Sequence, residues 1–244
     1  MIKDWDDLPD SLKTDYVYKY YKILEKKKIQ LVMKRLFDVV IAIILLIVLA
    51  PVFIVISVLI IIDSKWPVLF KQTRVTQYGK KFEIYKFRTM INNADKIGTQ
   101  ITTKNDTRIT RIGKFLRKLR LDEIPQLFNI ILGDMTFVGT RPEAVRYVEK
   151  YTEEMMATLL LPAGVTSEAS IYFKDEELLL SNSENVEELY VNEILPKKMK
   201  YNLKSLEEFS LLGDIKIMLK TVMAVIKRDK NTKTSSTDKS GVSF

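Results

Sequence analysis

The sequence predicts a mostly α chain with a small β component (α+β). A re-entrant membrane helix hairpin lies near the N-terminus, with interfacial amphipathic helices and one compact cytosolic domain. Three observations predict it. Val39–Ile62, VVIAIILLIVLAPVFIVISVLIII, is 24 residues without a charge, and Ser57 is its one polar side chain. Apolar residues recur at helical spacing on both sides of that run, most clearly over Leu206–Ile226. Two short β-rich runs, Val68–Phe70 and Lys81–Phe87, flank a turn near Gln77–Lys80.

Runs above ~18 apolar residues read as membrane segments. At ~1.5 Å per residue this one would span roughly 36 Å as a straight helix, enough for ~30 Å of hydrocarbon. Pro51 sits near its middle, removes a backbone donor and predicts a bend near Leu49–Pro51. The flanks bear on topology. Lys19, Lys22, Lys26, Lys27, Lys28, Lys34 and Arg35 precede the run, and Lys65, Lys71, Arg74, Lys80 and Lys81 follow it. Cytoplasmic flanks carry the excess of Lys and Arg. A simple crossing puts one basic flank on the wrong side, whereas a helix that enters, breaks at Pro51 and returns keeps both in the cytosol. The backbone groups freed at such a break need local partners.

The chain divides into an N-terminal amphipathic extension (1–33), the membrane hairpin (34–64), a cytosolic domain (65–227) and a disordered tail (228–244). The formal net charge of +8 suits anionic headgroups or phosphorylated substrates. With no aromatic-interleaved basic repeat and no zinc spacing, nucleic acid is not a predicted partner. There is no cysteine and no histidine, so disulfides, thiolate nucleophiles and the commonest general base are excluded. Any metal is then a hard, oxygen-bound ion, Mg²⁺ or Mn²⁺. The apolar run starts too late and is too long for a cleaved signal peptide.

Met1–Met33 reads as an acidic start and an amphipathic helix. Leu12, Val17, Tyr20, Tyr21, Leu24, Leu31 and Val32 approximate one face. Tyr16, Tyr18, Tyr20 and Tyr21 suit a headgroup-level belt, and an ordinary surface helix with a core stripe fits equally well. Ile91–Thr107 is polar and predicts a mobile loop. A short basic helix over Ile112–Leu119 follows, then a helix over Ile124–Leu132 and a turn over Gly133–Gly139. Arg146–Leu161 reads as an amphipathic helix and Ser167–Phe173 as a short strand. Glu184–Leu195 reads as a helix closed by Pro196, and Leu206–Ile226 as a further helix. Arg228–Phe244 is too rich in Ser, Thr and Lys to order itself.

Chemistry concentrates in Arg117–Glu143, RKLRLDEIPQLFNIILGDMTFVGTRPE. Arg117 and Arg120 share a helix face. Asp122 and Glu123 stand just ahead of a proline-led helix, at its positive end, which together with the arginines predicts ionised carboxylates. Such a carboxylate can bind a divalent metal, act as a base or attack phosphorus. It is also a common acidic first turn with no chemistry at all. Two features favour a site: Lys86, Arg88, Arg108, Arg111, Arg117, Arg120 and Arg141 match what a diphosphate needs, and Glu143 adds a further acid behind Arg141-Pro142. The preceding membrane segment makes a lipid-borne phosphate a natural co-substrate.

At these residues the chain resembles the bacterial sugar transferases, the monotopic polyprenyl-phosphate sugar-1-phosphate transferases (phosphoglycosyl transferases). The likeness starts at Lys34-Arg35-Leu36-Phe37-Asp38 and the apolar run with Pro51. It continues through Phe70-Lys71-Gln72-x-Arg74-Val75, Lys86-Phe87-Arg88-Thr89-Met90 and Arg108-Ile109-Thr110-Arg111-x-Gly113. It then takes in Leu116-Arg117-x-x-Arg120-Leu121-Asp122-Glu123-x-Pro125-Gln126-Leu127-x-Asn129, Leu132-Gly133-Asp134-Met135 and Val138-Gly139-x-Arg141-Pro142-Glu143, and closes on Asp214…Leu219. The resemblance implies that Asp122 attacks the β-phosphorus of a UDP-sugar, releases UMP, and passes the phosphosugar to a polyprenyl phosphate. It implies a role for Glu123 in Mg²⁺ binding or proton handling, and Mg²⁺ held by Asp122 and Glu123. Lys86, Arg88, Arg117, Arg120, Arg141 and Glu143 would serve the nucleotide sugar and its phosphates. It also implies a re-entrant helix and a monotopic enzyme of the bacterial cytoplasmic membrane, facing the cytosol, that starts a surface glycan.

The sequence departs from the family in places. Pro162-Ala163-Gly164-Val165-Thr166-Ser167 stands where members often show Pro-Gly-Ile-Thr-Gly, and Ala50 stands where some have Ser before the membrane proline. The chain reads as a short form without the multi-span N-terminal half. Two rivals predict other products: a monotopic scaffold docking on anionic lipid, and a glycosyltransferase moving the sugar without its phosphate. Which UDP-sugar is used is not legible, and the oligomeric state is open, a homodimer among the options.

Overall fold

In the computed structural model the described residues are 2–94, 106–174, 176, 180 and 185–237. The centre of the predicted mobile loop and residues 238–244 of the predicted tail lie outside them. The chain is mostly helical with two small sheets. Helix α1 (Asp15–Glu25) leads into α2 (Lys28–Ser64), an apolar rod of 37 residues and roughly 55 Å. Strands β1 (Leu69–Val75) and β2 (Lys81–Phe87) pair antiparallel, Leu69 opposite Phe87 and Val75 opposite Lys81. Then come α3 (Arg111–Lys118), α4 (Gln126–Leu132), β3 (Met135–Val138), α5 (Val145–Val148) and β4 (Ala163–Thr166). β3 and β4 pair in parallel. Helices α6 (Glu168–Tyr172), α7 (Val186–Leu189), α8 (Leu195–Glu207) and α9 (Leu211–Thr237) complete the chain.

The apolar helix is the frame on which the domain is assembled. Its inward stripe runs through Leu31, Lys34, Asp38, Ala42, Ile56 and Ile60, all buried. Ala42, with Ile41, Leu45, Leu46 and Leu49, packs on Phe82, Ile84, Leu127, Ile130 and Met135. Farther along, Ile56 and Ile60 pack on Val68, Phe87 and Leu116, and the Phe53 ring lies 4.5 Å from that of Phe87, tilted by 53°. The outward face, including Ile43, Ile44, Ile47, Val48, Ile54 and Val55, is exposed. This is the one helix among the described residues long and apolar enough to cross a membrane. Yet the domain touches it from Leu31 to Ile60, so a simple crossing would drag folded polar backbone into hydrocarbon.

Both ends of α2 are fastened by buried cations. Lys34 Nζ lies 2.6 Å from Asp214 on α9 and 3.4 Å from Asp38, which also accepts from the Thr136 hydroxyl. Arg35 donates to the carbonyls of Ile130 and Ile131 at 2.6 and 3.1 Å, closing the C-terminus of α4. At the far end Arg88 donates to the Ser64 carbonyl at 2.7 Å and to the Lys65 carbonyl, satisfying the last turn of α2.

Several expectations need correction. No break interrupts α2 at Pro51: the proline sits on the exposed face within a continuous helix, while the neighbouring inward residues hold the rod to the domain. Of the two readings left open for α1, the core stripe is the one observed for Val17, Tyr20, Tyr21 and Leu24, buried with Leu159, Leu160, Leu203 and Leu206, while Tyr16 and Tyr18 are exposed. The turn read over Gly133–Gly139 contains β3, four consecutive buried residues. The strand read at Ser167–Phe173 is a helix capped by Ser167, whose hydroxyl accepts from Ser170 N at 3.0 Å. Pro196 opens α8 where the sequence reading had it close a helix, as suits a proline in a first turn. The Leu206–Ile226 helix is split at Glu208–Ser210, and Arg146–Leu161 reduces to α5 and a 3₁₀ stretch, Met155–Leu160. α9 continues to Thr237, into the region read as tail. The Pro162-Ala163-Gly164 departure is absorbed by β4: a Cβ on Gly164 would stand 2.2 Å from Gly139 N, so both strands need glycine where they meet.

Removing one partner of a buried ion pair strands the others at about 3–5 kcal/mol. Lys34→Ala is therefore expected to lower unfolding stability in detergent by about 3–5 kcal/mol. Lys34→Met combined with Asp38→Leu and Asp214→Leu should recover most of it. A single variant as stable as the parent would refute the clamp.

Candidate active site

The site is built where three elements converge. Thr110 caps α3, its hydroxyl accepting from Gly113 N at 3.0 Å. Beyond α3 the chain reverses at Arg120, whose φ of 58° is left-handed, an uncommon and costly choice for a side chain of this kind. The reversal leads into a 3₁₀ turn, Leu121–Glu123, and Pro125 then starts α4. Asp122 and Glu123 are thereby turned inward toward Lys86 on β2 and Arg141, just past β3.

Glu123 gathers the cations. Its carboxylate accepts from Arg141 and lies 3.4 Å from Lys86 Nζ and 3.8 Å from Arg120. Burial pushes its pKa up, but Arg141, Lys86 and Arg120 together outweigh that and hold it well below the usual carboxylate range. Asp122 goes the other way. Burial, reinforced by the Glu123 charge, raises its pKa against the pull of Lys86, Arg117 and Arg120. Asp122 is 8% exposed, and its Oδ1 has no hydrogen-bond partner among the described residues. The sequence reading expected both carboxylates to be kept ionised by helix end and arginines. Burial, invisible in sequence, splits the pair in the way that assigns different roles to neighbouring carboxyls.

Glu123, with Asp122 adjacent to it in the chain, borders a cavity of about 520 Å³ also lined by Lys86, Arg120, Arg141, Glu143 and, from the apolar helix, Leu45 and Leu49. Seven Lys and Arg side chains face three Glu side chains around it, an excess of positive charge suited to a diphosphate. Glu143 is buried at its edge, accepting from the Tyr190 hydroxyl at 2.6 Å and from Lys198 at 3.2 Å. Burial pushes the Glu143 pKa up, but Lys198 and these hydrogen bonds leave it low. Of the other predicted residues, Arg117 stays near Asp122 and donates to the Thr89 hydroxyl at 2.9 Å. Arg88 does not join the site; it is committed to the end of α2.

Sequence reasoning gave no role to Arg74, Gln126, Tyr190 or Lys198, all of which line the cavity. Arg74 and Gln126 stand inside quoted motifs and could have been nominated. Tyr190 and Lys198 reach Glu143 from 47 and 55 residues away, and no local spacing signals that.

No group of three or more acidic metal-ligand side chains occurs among the described residues. Mg²⁺ commonly uses one or two carboxylates, with waters and substrate phosphates filling the rest. The orphaned Asp122 Oδ1 fits that donor set. Glu123 fits it less well, since three cations already occupy its carboxylate.

Several of the motifs that suggested a resemblance, those holding Arg74, Lys86, Arg120, Glu123, Gln126, Arg141 and Glu143, line this cavity, and comparison with known proteins agrees: the chain belongs to the bacterial sugar transferase family, whose model matches residues 29–228. Among relatives, it is similar to the UDP-glucose:undecaprenyl-phosphate glucose-1-phosphate transferase of Klebsiella pneumoniae, 36% identical over 200 residues, covering 80% of this chain and 40% of the relative. The UDP-N-acetylgalactosamine-undecaprenyl-phosphate N-acetylgalactosaminephosphotransferase of Aeromonas hydrophila is 32% identical over 196 residues, 79% of this chain and 43% of the relative. The exopolysaccharide production protein PSS of Rhizobium leguminosarum is 48% identical over 116 residues, 47% of this chain and 58% of the relative. The chain thus spans less than half the length of the first two.

The split carboxylate pair can be read directly by carboxyl-carbon NMR titration. The Asp122 midpoint should lie above the ordinary ~3.9 and move down in Glu123→Gln, which removes a charge that raises it. A midpoint at or below ~3.9 in the unaltered chain contradicts the assignment.

Proposed function

We propose that this chain transfers a sugar-1-phosphate from a UDP-sugar to a polyprenyl phosphate, undecaprenyl phosphate in a bacterial membrane, as the first membrane step of a surface glycan. The observation that carries the proposal is the orphaned, buried Asp122 Oδ1 next in sequence to a glutamate that collects three cations and lines a cavity walled on one side by the apolar helix. The names of two relatives pair a UDP-sugar with undecaprenyl phosphate, which supports the same substrates here.

In this reading the ionised Asp122 attacks the β-phosphorus of the donor. A Pβ–O(Asp) bond forms as the bond to the α-phosphate oxygen breaks, and UMP leaves with that oxygen and its electron pair. The phosphosugar, held on Asp122, is then attacked by an oxygen of the polyprenyl phosphate, which gives polyprenyl-diphospho-sugar and returns the carboxylate. Lys86, Arg120 and Arg141 neutralise phosphate charge, and Glu123 fixes them in place. Preorganised positive charge of this kind is the main lever in phosphoryl transfer. Mg²⁺, when bound at Asp122, supplies further charge neutralisation on the diphosphate. Glu143, tied to Tyr190 and Lys198, shapes the far wall for the nucleotide sugar.

The apolar helix brings the lipid substrate to the same cavity. Its outward face enters the bilayer, and both its ends stay with the domain on the cytosolic side of the bacterial cytoplasmic membrane. That arrangement is monotopic, and it becomes re-entrant where the helix bends at Pro51, whose ring removes a backbone donor. A homodimer is compatible with it and is not required.

Purified chain given a UDP-sugar panel with undecaprenyl phosphate and Mg²⁺ should release UMP; UDP as product would point to a glycosyltransferase, and no product to a scaffold. Asp122→Asn should abolish release, and Arg141→Gln should lower kcat/KM by about 10²–10³-fold. In vesicles, donor supplied to the cytosolic face alone should support turnover. Substantial turnover by Asp122→Asn would sink the covalent role.

A further inference from the structure

Gln126 is the first residue of α4 and is 1% exposed, yet neither Oε1 nor Nε2 of its amide has a hydrogen-bond partner among the described residues. Both atoms are orphaned, so exchanging their positions changes nothing. A buried amide left unsatisfied at both ends is rare in native proteins and costs stability at each atom. The position makes this one informative. Gln126 lies four residues after Asp122, whose Oδ1 is also buried and orphaned, and it lines the cavity that holds Glu123 and Lys86. Leu45, Leu49, Leu127 and Phe137 line the same cavity, so an apolar side chain would have suited position 126. Two orphaned amide atoms therefore belong to a residue of the cavity that Glu123 and Lys86 line, and a third orphaned atom belongs to Asp122, four residues earlier in the chain.

We propose that Gln126 is a catalytic residue that binds the transferred phosphosugar, a role that rests on the phosphotransfer reading above. Its amide needs one acceptor and one donor from the ligand. A fully ionised diphosphate offers acceptors only, so Nε2 donates to a non-bridging oxygen of the transferred phosphoryl. Oε1 then accepts from the sugar, and the nearest donor is the O–H or N–H at C2, next to the phosphorylated carbon. The donor class that follows is a UDP-sugar with a hydroxyl or acylamino group at C2.

The test measures UMP release and thermal unfolding for the full chain, Gln126→Leu and Gln126→Glu. The donors are UDP-sugars with a C2 hydroxyl or acetamido group, and the UDP-2-deoxy-2-fluoro analogue of the one turned over best. Gln126→Leu should unfold at the same or a higher temperature, because it removes an unsatisfied buried amide, while kcat/KM falls about 10–100-fold. The unaltered chain should prefer the C2-hydroxyl or acetamido donor to its fluoro analogue by at least about tenfold, and the variant should lose that preference. Gln126→Glu should be slower still, since it sets a negative charge against the phosphoryl group. Unchanged kcat/KM in Gln126→Leu, or a lower unfolding temperature with the C2 preference intact, overturns the assignment and leaves the parent reading standing. No UMP from the unaltered chain with any donor overturns both.

Discussion

Glu123 is the knot in this structure. Lys86, Arg120 and Arg141 come from β2, the reversal after α3 and the segment beyond β3, and like charges so placed would repel. One largely buried carboxylate holds all three. Desolvating charges is costly; Arg141 offsets that by hydrogen-bonding Glu123, Lys86 by lying 3.4 Å from the same carboxylate, while the half-exposed Arg120 contributes from 3.8 Å. Two consequences follow. The surplus positive charge is fixed before any substrate arrives, which is what lowers a barrier for anionic phosphates. And since the cations are taken up by Glu123, the neighbouring Asp122 keeps an oxygen free and feels burial more than attraction.

The same device works at larger scale on the apolar helix. Lys34 and Arg35 near its start, and Arg88 at its end, are all committed within the protein. Fastened at both ends, a rod of roughly 55 Å is kept on one side of the domain, and its exposed apolar face is left for lipid. In the proposed function, a water-soluble donor and a lipid acceptor would be served by one cavity, because Leu45 and Leu49 of that rod share it with Glu123 and Arg141.

What the sequence made legible follows from what is local in it. The apolar run, the turn near Gln77–Lys80 with β2 behind it, and the Asp122-Glu123-x-Pro125 turn are each written in adjacent residues and stand where periodicity and turn chemistry put them. β1, by contrast, is longer than its β-rich letters, Leu69–Val75 against Val68–Phe70. The family was legible for the same reason. Long-range partners were not. Arg88 sits in a motif rich in cations and reads as a phosphate ligand, yet the final turn of α2 claims it. Pro51 predicts a break in isolation, but continuous packing of Ala42, Ile56 and Ile60 keeps the helix whole. The pKa of Asp122 was read from its neighbours in sequence, and burial reversed it. Gln126 was visible as a letter, while its missing partners could only be seen in three dimensions.

The central claim is that Asp122 itself receives the phosphosugar. Incubating the chain with a labelled UDP-sugar and Mg²⁺, without polyprenyl phosphate, then quenching in acid and mapping peptides by mass spectrometry tests it most directly. The account predicts one sugar-phosphate per chain on the peptide containing Asp122, discharged when undecaprenyl phosphate is added. Full UMP release with lipid present, and no modified Asp122 peptide under any quench, would contradict it.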